Sequence, residues 1–240
     1  MSDETVFTRQ FDYAERVKLT DSAYEELKSA IVELRLPPGT ILRESAIGKQ
    51  LGVSKTPVRE ALLQLEQDGL VELVPFKGGR VVGYTQQDVR EIFELRALLE
   101  GACVRRAAEH GDQVLLRKLE SNVTDSSSAA TRDGIETMIS LLDEFDSLLL
   151  TQMDNRRVHR LIDNLQIHMR RIGKLTTEIP GRMVSSISQH AAIVSAVTAR
   201  DADGAERAMR AHIESVLQDI IAHMKDSEDG NAGTAAAADR

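Results

Sequence analysis

From Gln86 to about residue 225, apolar residues recur at helical spacing with hardly a break. Stripes of that period can be buried only by packing helix on helix, so most of the chain is committed to an all-helical domain. Helices are expected at about 86–110, 112–121, 134–151, 155–176, 181–199 and 202–225. Aromatic residues make up 3% of the chain and Trp is absent. The core must therefore be aliphatic, built on Leu, Ile, Val, Ala and Met. "TDSSSAATRDG" reads as a polar loop, and "TEIPG" breaks the chain at Pro180. Residues 226–240, "DSEDGNAGTAAAADR", lack an apolar stripe and read as a disordered tail.

The N-terminal third reads differently. Residues 1–18 are polar and weakly patterned, a flexible arm. Asp21 or Ser22 can cap a helix running to about Leu34, with Tyr24, Leu27, Ile31 and Leu34 as its stripe. "LPPGT" ends it. A short helix follows from about Glu44 to Leu51, ended by Gly52. A third runs from about Thr56 to Asp68, with Pro57 in its first turn and Val58, Leu62 and Leu65 facing inward. "LVELVPFKGGRVVGY" then reads as two short strands around a turn near Phe76 to Gly79. The layout is that of a winged helix-turn-helix over 19–84, followed by a helical domain over 85–225. The expected fold class is mainly α, a winged helix-turn-helix plus an all-helical antiparallel bundle.

The start of the third helix carries the chemistry. A helix N-terminus offers free N–H groups and a positive dipole end to phosphate. Ser54 and Thr56 can donate to phosphate oxygens, while Lys55 and Arg59 are long enough to reach guanine edges in a major groove. Arg59 can do so bidentately and Lys55 cannot, so Arg59 is the expected reader of sequence. Lys77 and Arg80, beside wing glycines, suit the adjacent backbone or minor groove. The bland alternative makes Ser54 a plain N-cap and the charges a solvated face; the complete order of helices and hairpin points to DNA. A net charge of −8 argues against general adhesion to nucleic acid but not against a local basic surface.

In the helical domain, polar groups fall on apolar stripes. His212 sits among Ala208, Met209, Ile213, Val216 and Ile220, His190 among Ile187, Val194 and Val197, and Asp146 among Ile139, Leu142 and Leu149. Such groups are costly inside a core unless paired or liganded. Two imidazoles and a carboxylate suit Zn, Ni, Mn or Fe; satisfied core histidines are the alternative. His168 shares the stripe of Leu161, Leu165 and Ile172. Arg96 and Glu100 are spaced for an intrahelical salt bridge, unless Arg96 meets an acidic ligand. Arg170 and Arg171 are expected to be solvated. The single cysteine, Cys103, excludes an intrachain disulfide and fits a reducing compartment, where its expected role is core packing. No run approaches the roughly 20 apolar residues needed to span a bilayer, and the first residues lack a secretion signal, so a cytoplasmic protein without membrane contact is expected.

The run "LPPGTILRESAIGKQLGVSKTPVREALLQLEQDGLVELVPFKGGRVV" resembles the DNA-binding domain of GntR-type bacterial transcription regulators over about residues 20–82. The resemblance implies operator contacts from Ser54, Lys55, Thr56, Arg59 and the wing at Lys77 and Gly78. Many members carry Arg where this chain has Lys55, and often a basic residue where it has Ser45. "DVREIFELRALLEGACVRRAAEHG" and "HAAIVSAVTARDADGAERAMRAHIESV" resemble the opening and closing helices of the FCD-type effector domain of the FadR-like subfamily. Metal-binding members have an Asp, a His four residues later, and two further His. His190 and His212 match the last two; Asp146 stands at the first His and Leu142 at the Asp.

Taken together, these likenesses imply a homodimeric, ligand-responsive regulator, expected to be a repressor, acting on palindromic operator DNA. Its helical domain would bind a small organic acid, with Arg96 and His168 as candidate contacts, and a divalent metal at Asp146, His190 and His212. Two readings from other classes are a metal-dependent enzyme tethered to a winged module and an effector-independent architectural DNA-binding protein. Against the first stands the lack of a His-Glu-x-x-His helix and of an evident general base. Against the second stands a helical domain larger than dimerisation needs.

Overall fold

The computed structural model describes the backbone of residues 13–132, 135–176 and 179–238, and side chains at 17–130, 136–174 and 179–225. The chain divides after Gly83 into two compact units.

In the first unit, α1 (Tyr13–Val32), α2 (Glu44–Leu51) and α3 (Lys55–Gln67) pack with a small antiparallel sheet of β1 (Ile41–Leu42), β2 (Val71–Val74) and β3 (Gly78–Val81), in the order β1-β3-β2. Leu27 and Ile31 of α1 meet Val58, Leu62 and Leu65 of α3 in the core, which the sheet closes through Leu42, Val71 and Val81. Two polar bonds fix the register of α1 on α3. Thr20 Oγ1 donates to Glu60 Oε2 at 2.9 Å, and Tyr24 Oη to Asp68 Oδ2 at 2.8 Å.

The structure corrects the expected pattern in several places. The first helix begins at Tyr13, inside the stretch read as an arm, and Leu34 lies beyond its end, exposed and at φ 60°. Residues 1–12 lie outside the described residues. β1 adds a third strand to the expected hairpin: two residues are too few to show alternation, and pairing with β3 is what defines the strand.

The second unit opens on a complete capping box. Thr85 Oγ1 accepts from the Asp88 N–H at 3.1 Å, and Asp88 Oδ2 accepts from the Thr85 N–H at 2.7 Å. Then come α4 (Gln86–His110), α5 (Gln113–Arg132), α6 (Ile135–Leu150), α7 (Arg156–Thr176), α8 (Arg182–Thr198) and α9 (Ala202–Ala238). The long helices α4 and α9 pack on each other, with α8 on α9 and α5 on α8. Phe93, Val104, Leu119, Phe145, Ile172, Ile193, Met209, Ile213 and Ile220 belong to the core, which is mostly aliphatic.

The expected loop "TDSSSAATRDG" is helix up to Arg132. Thr124, Ser127 and Ser128 donate their hydroxyls to carbonyls four residues back, so the helix costs these side chains no hydrogen bond. Asn122, Ser126 and Ala129 continue the buried stripe of Leu115 and Leu119 with small or polar residues, which carry no apolar period. α9 runs beyond residue 225 to Ala238, through the stretch read as a tail; the side chains from 226 on lie outside the described residues. Among the described residues, no helix is long and apolar enough to cross a membrane.

Candidate functional site

In the first unit, Gly52 caps α2 at φ 69°, and its neighbour Val53 donates back to the Gly48 carbonyl at 2.9 Å. That left-handed step turns the chain into α3 and leaves Ser54, Lys55, Thr56 and Arg59 exposed while Pro57, Val58, Ala61, Leu62 and Leu65 are buried. Ser54 stands at the N-cap, but its side chain makes no cap hydrogen bond. The third helical residue is Pro57, which has no N–H for a capping serine to accept. The hydroxyl is thus not spent on the helix.

A groove of about 800 Å³ runs between α3 and the wing, lined by Arg43, Lys55 and Arg59 on one side and by Phe76, Lys77 and Gly78 on the other. Arg59 Nε donates to Glu44 Oε1 at 2.8 Å, which holds the guanidinium over the start of α2. The Arg59 side chain remains 69% exposed, so the bond orients the fork without hiding it. Arg80 pairs with Glu72 across the β2–β3 ladder.

In the second unit, the structure brings His190 and His212 together, their Nε2 atoms 3.4 Å apart, and stacks the His190 ring on Phe145 at 3.8 Å between centroids. Asp146 joins Arg96 instead, at 3.3 Å from Nη2, while Glu100 takes the shorter bond from Nε at 2.6 Å. Phe145, fully buried, is the residue of α6 at the centre of the stripe, and Asp146 lies on its flank. His168 is elsewhere in the unit, with Nδ1 2.8 Å from the Tyr84 hydroxyl. Arg171, expected at the surface, is buried and lies over the Tyr84 ring at 5.0 Å.

Arg182 is a functional candidate that the sequence pattern does not flag, because its position at the start of α8 gives no sign of burial. It is 4% exposed and donates to Ser215, Asp219, Ser186 and Gln189. Arginine only donates, so the Gln189 atom facing it is the amide oxygen. The same Oε1 lies 2.8 Å from His212 Nδ1, which must then carry the proton. His212 Nε2 is left as the lone-pair nitrogen facing His190.

Residues 19–81 match the gntR family of bacterial regulatory proteins, and residues 91–215 match the FCD domain. The chain belongs to the GntR family and carries an FCD domain. It is a DNA-binding transcription regulator. It is 30% identical over 197 residues to the HTH-type transcriptional repressor RspR of Escherichia coli (strain K12), covering 82% of this chain and 86% of that one. Its fold is that of McbR/YncC of E. coli, with a TM-score of 0.68 at 24% identity over 84% of this chain and 96% of that one. It is also that of a GntR regulator from Rhodococcus sp. RHA1, with 0.69 at 22% over 85% and 98%.

An FCD domain raises the question of a metal. Two nitrogens on one tetrahedral ion, each at about 2.0–2.1 Å, stand about 3.3–3.4 Å apart, which is the spacing of His190 and His212. Asp146 is taken up by Arg96, however, and among the described residues no three His, Cys, Asp or Glu side chains converge as a ligand set. Two imidazoles alone do not make the three- or four-ligand set that a protein metal site uses. In this arrangement the cluster does not fit a metal.

As a protein cluster it has a defined pH response. Burial, reinforced by Arg96 and Arg182, holds His190 down at about 3. Burial and the neighbouring His190 lower His212 well below the ordinary imidazole value. Burial and the Glu100 carboxylate push Asp146 up to about 8 against the pull of Arg96, although 27% of its side chain still reaches the surface.

The two effects have opposite signs. The histidines contribute stability above about pH 6.5 that is lost as the unfolded chain takes up protons on acidification. Protonated Asp146 contributes stability at low pH that is lost as pH rises toward 8. Two imidazoles outweigh one carboxyl, and the unfolded imidazoles go from half to almost fully protonated between pH 6.5 and 5, so that acidification is expected to cost about 1 kcal/mol net, at about 1.4 kcal/mol per proton and pH unit. Thermal melts of the full chain between those values test this. A melting temperature that does not move would mean that the imidazoles are charged or hydrated in the fold.

Proposed function

We propose that the protein is a ligand-responsive repressor that binds a palindromic operator as a homodimer. Ser54 and Thr56 position α3 on phosphates, Lys55 and Arg59 reach base edges, and Lys77 with the close-packed backbone at Gly78 sets the wing on the duplex. Exposure of Lys55, Arg59 and Lys77 around one groove, and of Ser54 and Thr56 at the start of α3, supports the assignment. The repressor reading draws on RspR, whose name records that activity. Dimerisation doubles a modest basic surface on a chain of net charge −8 and matches the two-fold symmetry of a palindrome.

The observation that carries the effector half is the Arg96 guanidinium, 5% exposed inside the FCD domain and held by two acid side chains, Glu100 and Asp146. A small organic acid can exchange for Asp146 on that fork, because arginine matches carboxylates bidentately wherever they come from. His168, bonded to Tyr84 elsewhere in the same unit, is the second candidate polar contact. A ligand that binds the DNA-incompetent arrangement of the dimer better shifts the population away from the DNA-competent state.

An operator selected by the full-length protein from a random duplex pool provides the test. Arg59→Ala is expected to weaken binding to it by roughly 10- to 100-fold, in line with about 1–3 kcal/mol for a good base contact. Mono- and dicarboxylic acids are expected to release the wild-type complex. Unchanged affinity in Arg59→Ala would remove α3 as the reader, and a complex that no organic acid releases would remove the carboxylate effector.

A further inference from the structure

We infer that Phe76 is a DNA wedge: its ring enters the operator minor groove beside the segment read by α3 and inserts part-way between two base pairs. The inference rests on the operator-binding reading above. Phe76 sits at the tip of the β2–β3 turn and is more exposed (108%) than in an extended reference chain. Among the described residues no other large apolar side chain approaches that exposure; the next, Val184, reaches 61%. A phenyl ring held wholly in water costs hydrophobic free energy that a turn residue such as Asn or Gly would avoid. The backbone adds to that cost, because Phe76 has φ 62°, the left-handed region that bulky side chains seldom adopt. Non-glycine residues kept in this region concentrate at binding sites.

The turn is braced to project the ring. Lys77 N–H bonds back to the Val74 carbonyl at 3.0 Å, closing the tip. Just behind it, β3 is pressed so closely on β1 and β2 that a Cβ on Gly78 would lie 2.1 Å from the Leu42 carbonyl oxygen, and one on Gly79 2.6 Å from Val71 Cγ1. The tip therefore rides on a three-stranded sheet rather than on a loose hairpin.

Its surroundings select the partner. The groove between α3 and the wing has Arg43, Lys55, Arg59 and Lys77 along it, and the one acid among its lining residues, Glu44, is paired with Arg59. A cationic groove of this kind suits the phosphate ridge that separates a major from a minor groove. With α3 in the major groove on one side, the other wall, which ends in Phe76, faces the minor groove. Apolar side chains that enter a minor groove unstack a base step and bend the duplex away from themselves. Pyrimidine–purine steps yield most easily, so the wedge adds a preference for them without any base hydrogen bond.

The experiment uses the full-length protein and the operator selected from a random pool, with 2-aminopurine placed in turn at pyrimidine–purine steps flanking the half-sites. Wild type is expected to raise 2-aminopurine fluorescence at one step per half-site and to bend the duplex. Phe76→Ala is expected to abolish both and to weaken operator binding roughly tenfold. Phe76→Leu, which keeps an apolar wedge, is expected to retain most of the bend.

Arg59→Ala separates the two levels of failure. If it loses the operator while Phe76→Ala leaves bend, fluorescence and affinity unchanged, α3 reads DNA and the wedge is wrong. Loss of affinity in Phe76→Ala with the bend and fluorescence intact would likewise overturn insertion in favour of surface contact. An unchanged complex with DNA but altered self-association would assign Phe76 to a protein contact and overturn the proposal. If no operator can be selected at all, the reading on which the wedge rests is what has failed.

Discussion

Arg182→Met is expected to lower the stability of the helical domain by about 3 kcal/mol, the order found when one member of a buried ionic network is removed. Met keeps much of the volume, so the loss is electrostatic and polar rather than a cavity. Ser186, Gln189 and Ser215 lose a donor inside α8 and α9, while Asp219, with 44% of its side chain exposed, can rehydrate and keeps the figure from being larger. For a domain of this size the melting temperature should drop by roughly 10 °C. A second readout separates the network from simple packing. Arg182 is what fixes the Gln189 amide with its oxygen toward His212. Without it the amide can turn, and the His212 tautomer is expected to lose its definition in nitrogen-detected NMR spectra. A variant that melts within about 2 °C of wild type with an unchanged tautomer would show that the network adds nothing to stability.

Gly78→Ala should act on the first unit with similar force. The added Cβ meets backbone on β1, 2.1 Å from the Leu42 oxygen, 3.2 Å from its carbon and 3.4 Å from Arg43 Cα, and at φ 94° the residue is strained as well. No side chain can move aside to relieve this contact. The β1–β3 pairing is expected to open, at about 3 kcal/mol or more. In a unit this small, that amounts to about 15 °C in melting temperature, with operator binding lost alongside. Gly39→Ala is the matched control: it also has positive φ, 84°, but nothing lies within 4 Å of the added carbon. It should cost about 1 kcal/mol from backbone strain alone. Equal melting temperatures for the two variants would mean that close approach of the wing to β1 contributes nothing.

Much of the architecture is legible in residue pattern. Val58, Leu62 and Leu65 mark the inward face of α3 by spacing alone, and Gly52 marks the turn before it, because both depend on neighbours within one or two helical turns. α5 shows where this fails. Its stripe continues through Asn122 and Ser126, which are buried because α6 and α8 cover α5, not because they are apolar. The candidate site in the helical domain divides in the same way. His190 and His212 stand out as polar residues on strongly apolar stripes and do meet. Spacing alone puts Asp146 at the centre of its helix face, yet a rotation of one residue gives that place to Phe145 and turns the carboxylate toward Arg96.

The linear order of residues determined by itself the division into a winged DNA-binding unit and a helical unit, and the polar start of α3. Helical periods, turn residues and capping signals act over a few residues and need no distant partner. The tertiary structure alone decided which charges are buried and with whom. Arg171 reads as an ordinary surface cation until Tyr84 is placed against it, Arg182 shows no sign of burial until α9 is placed against it, and Arg96 has one carboxylate partner in sequence but two in space. Burial and pairing are set by residues tens of positions away, and it is these that shift the protonation of His190, His212 and Asp146.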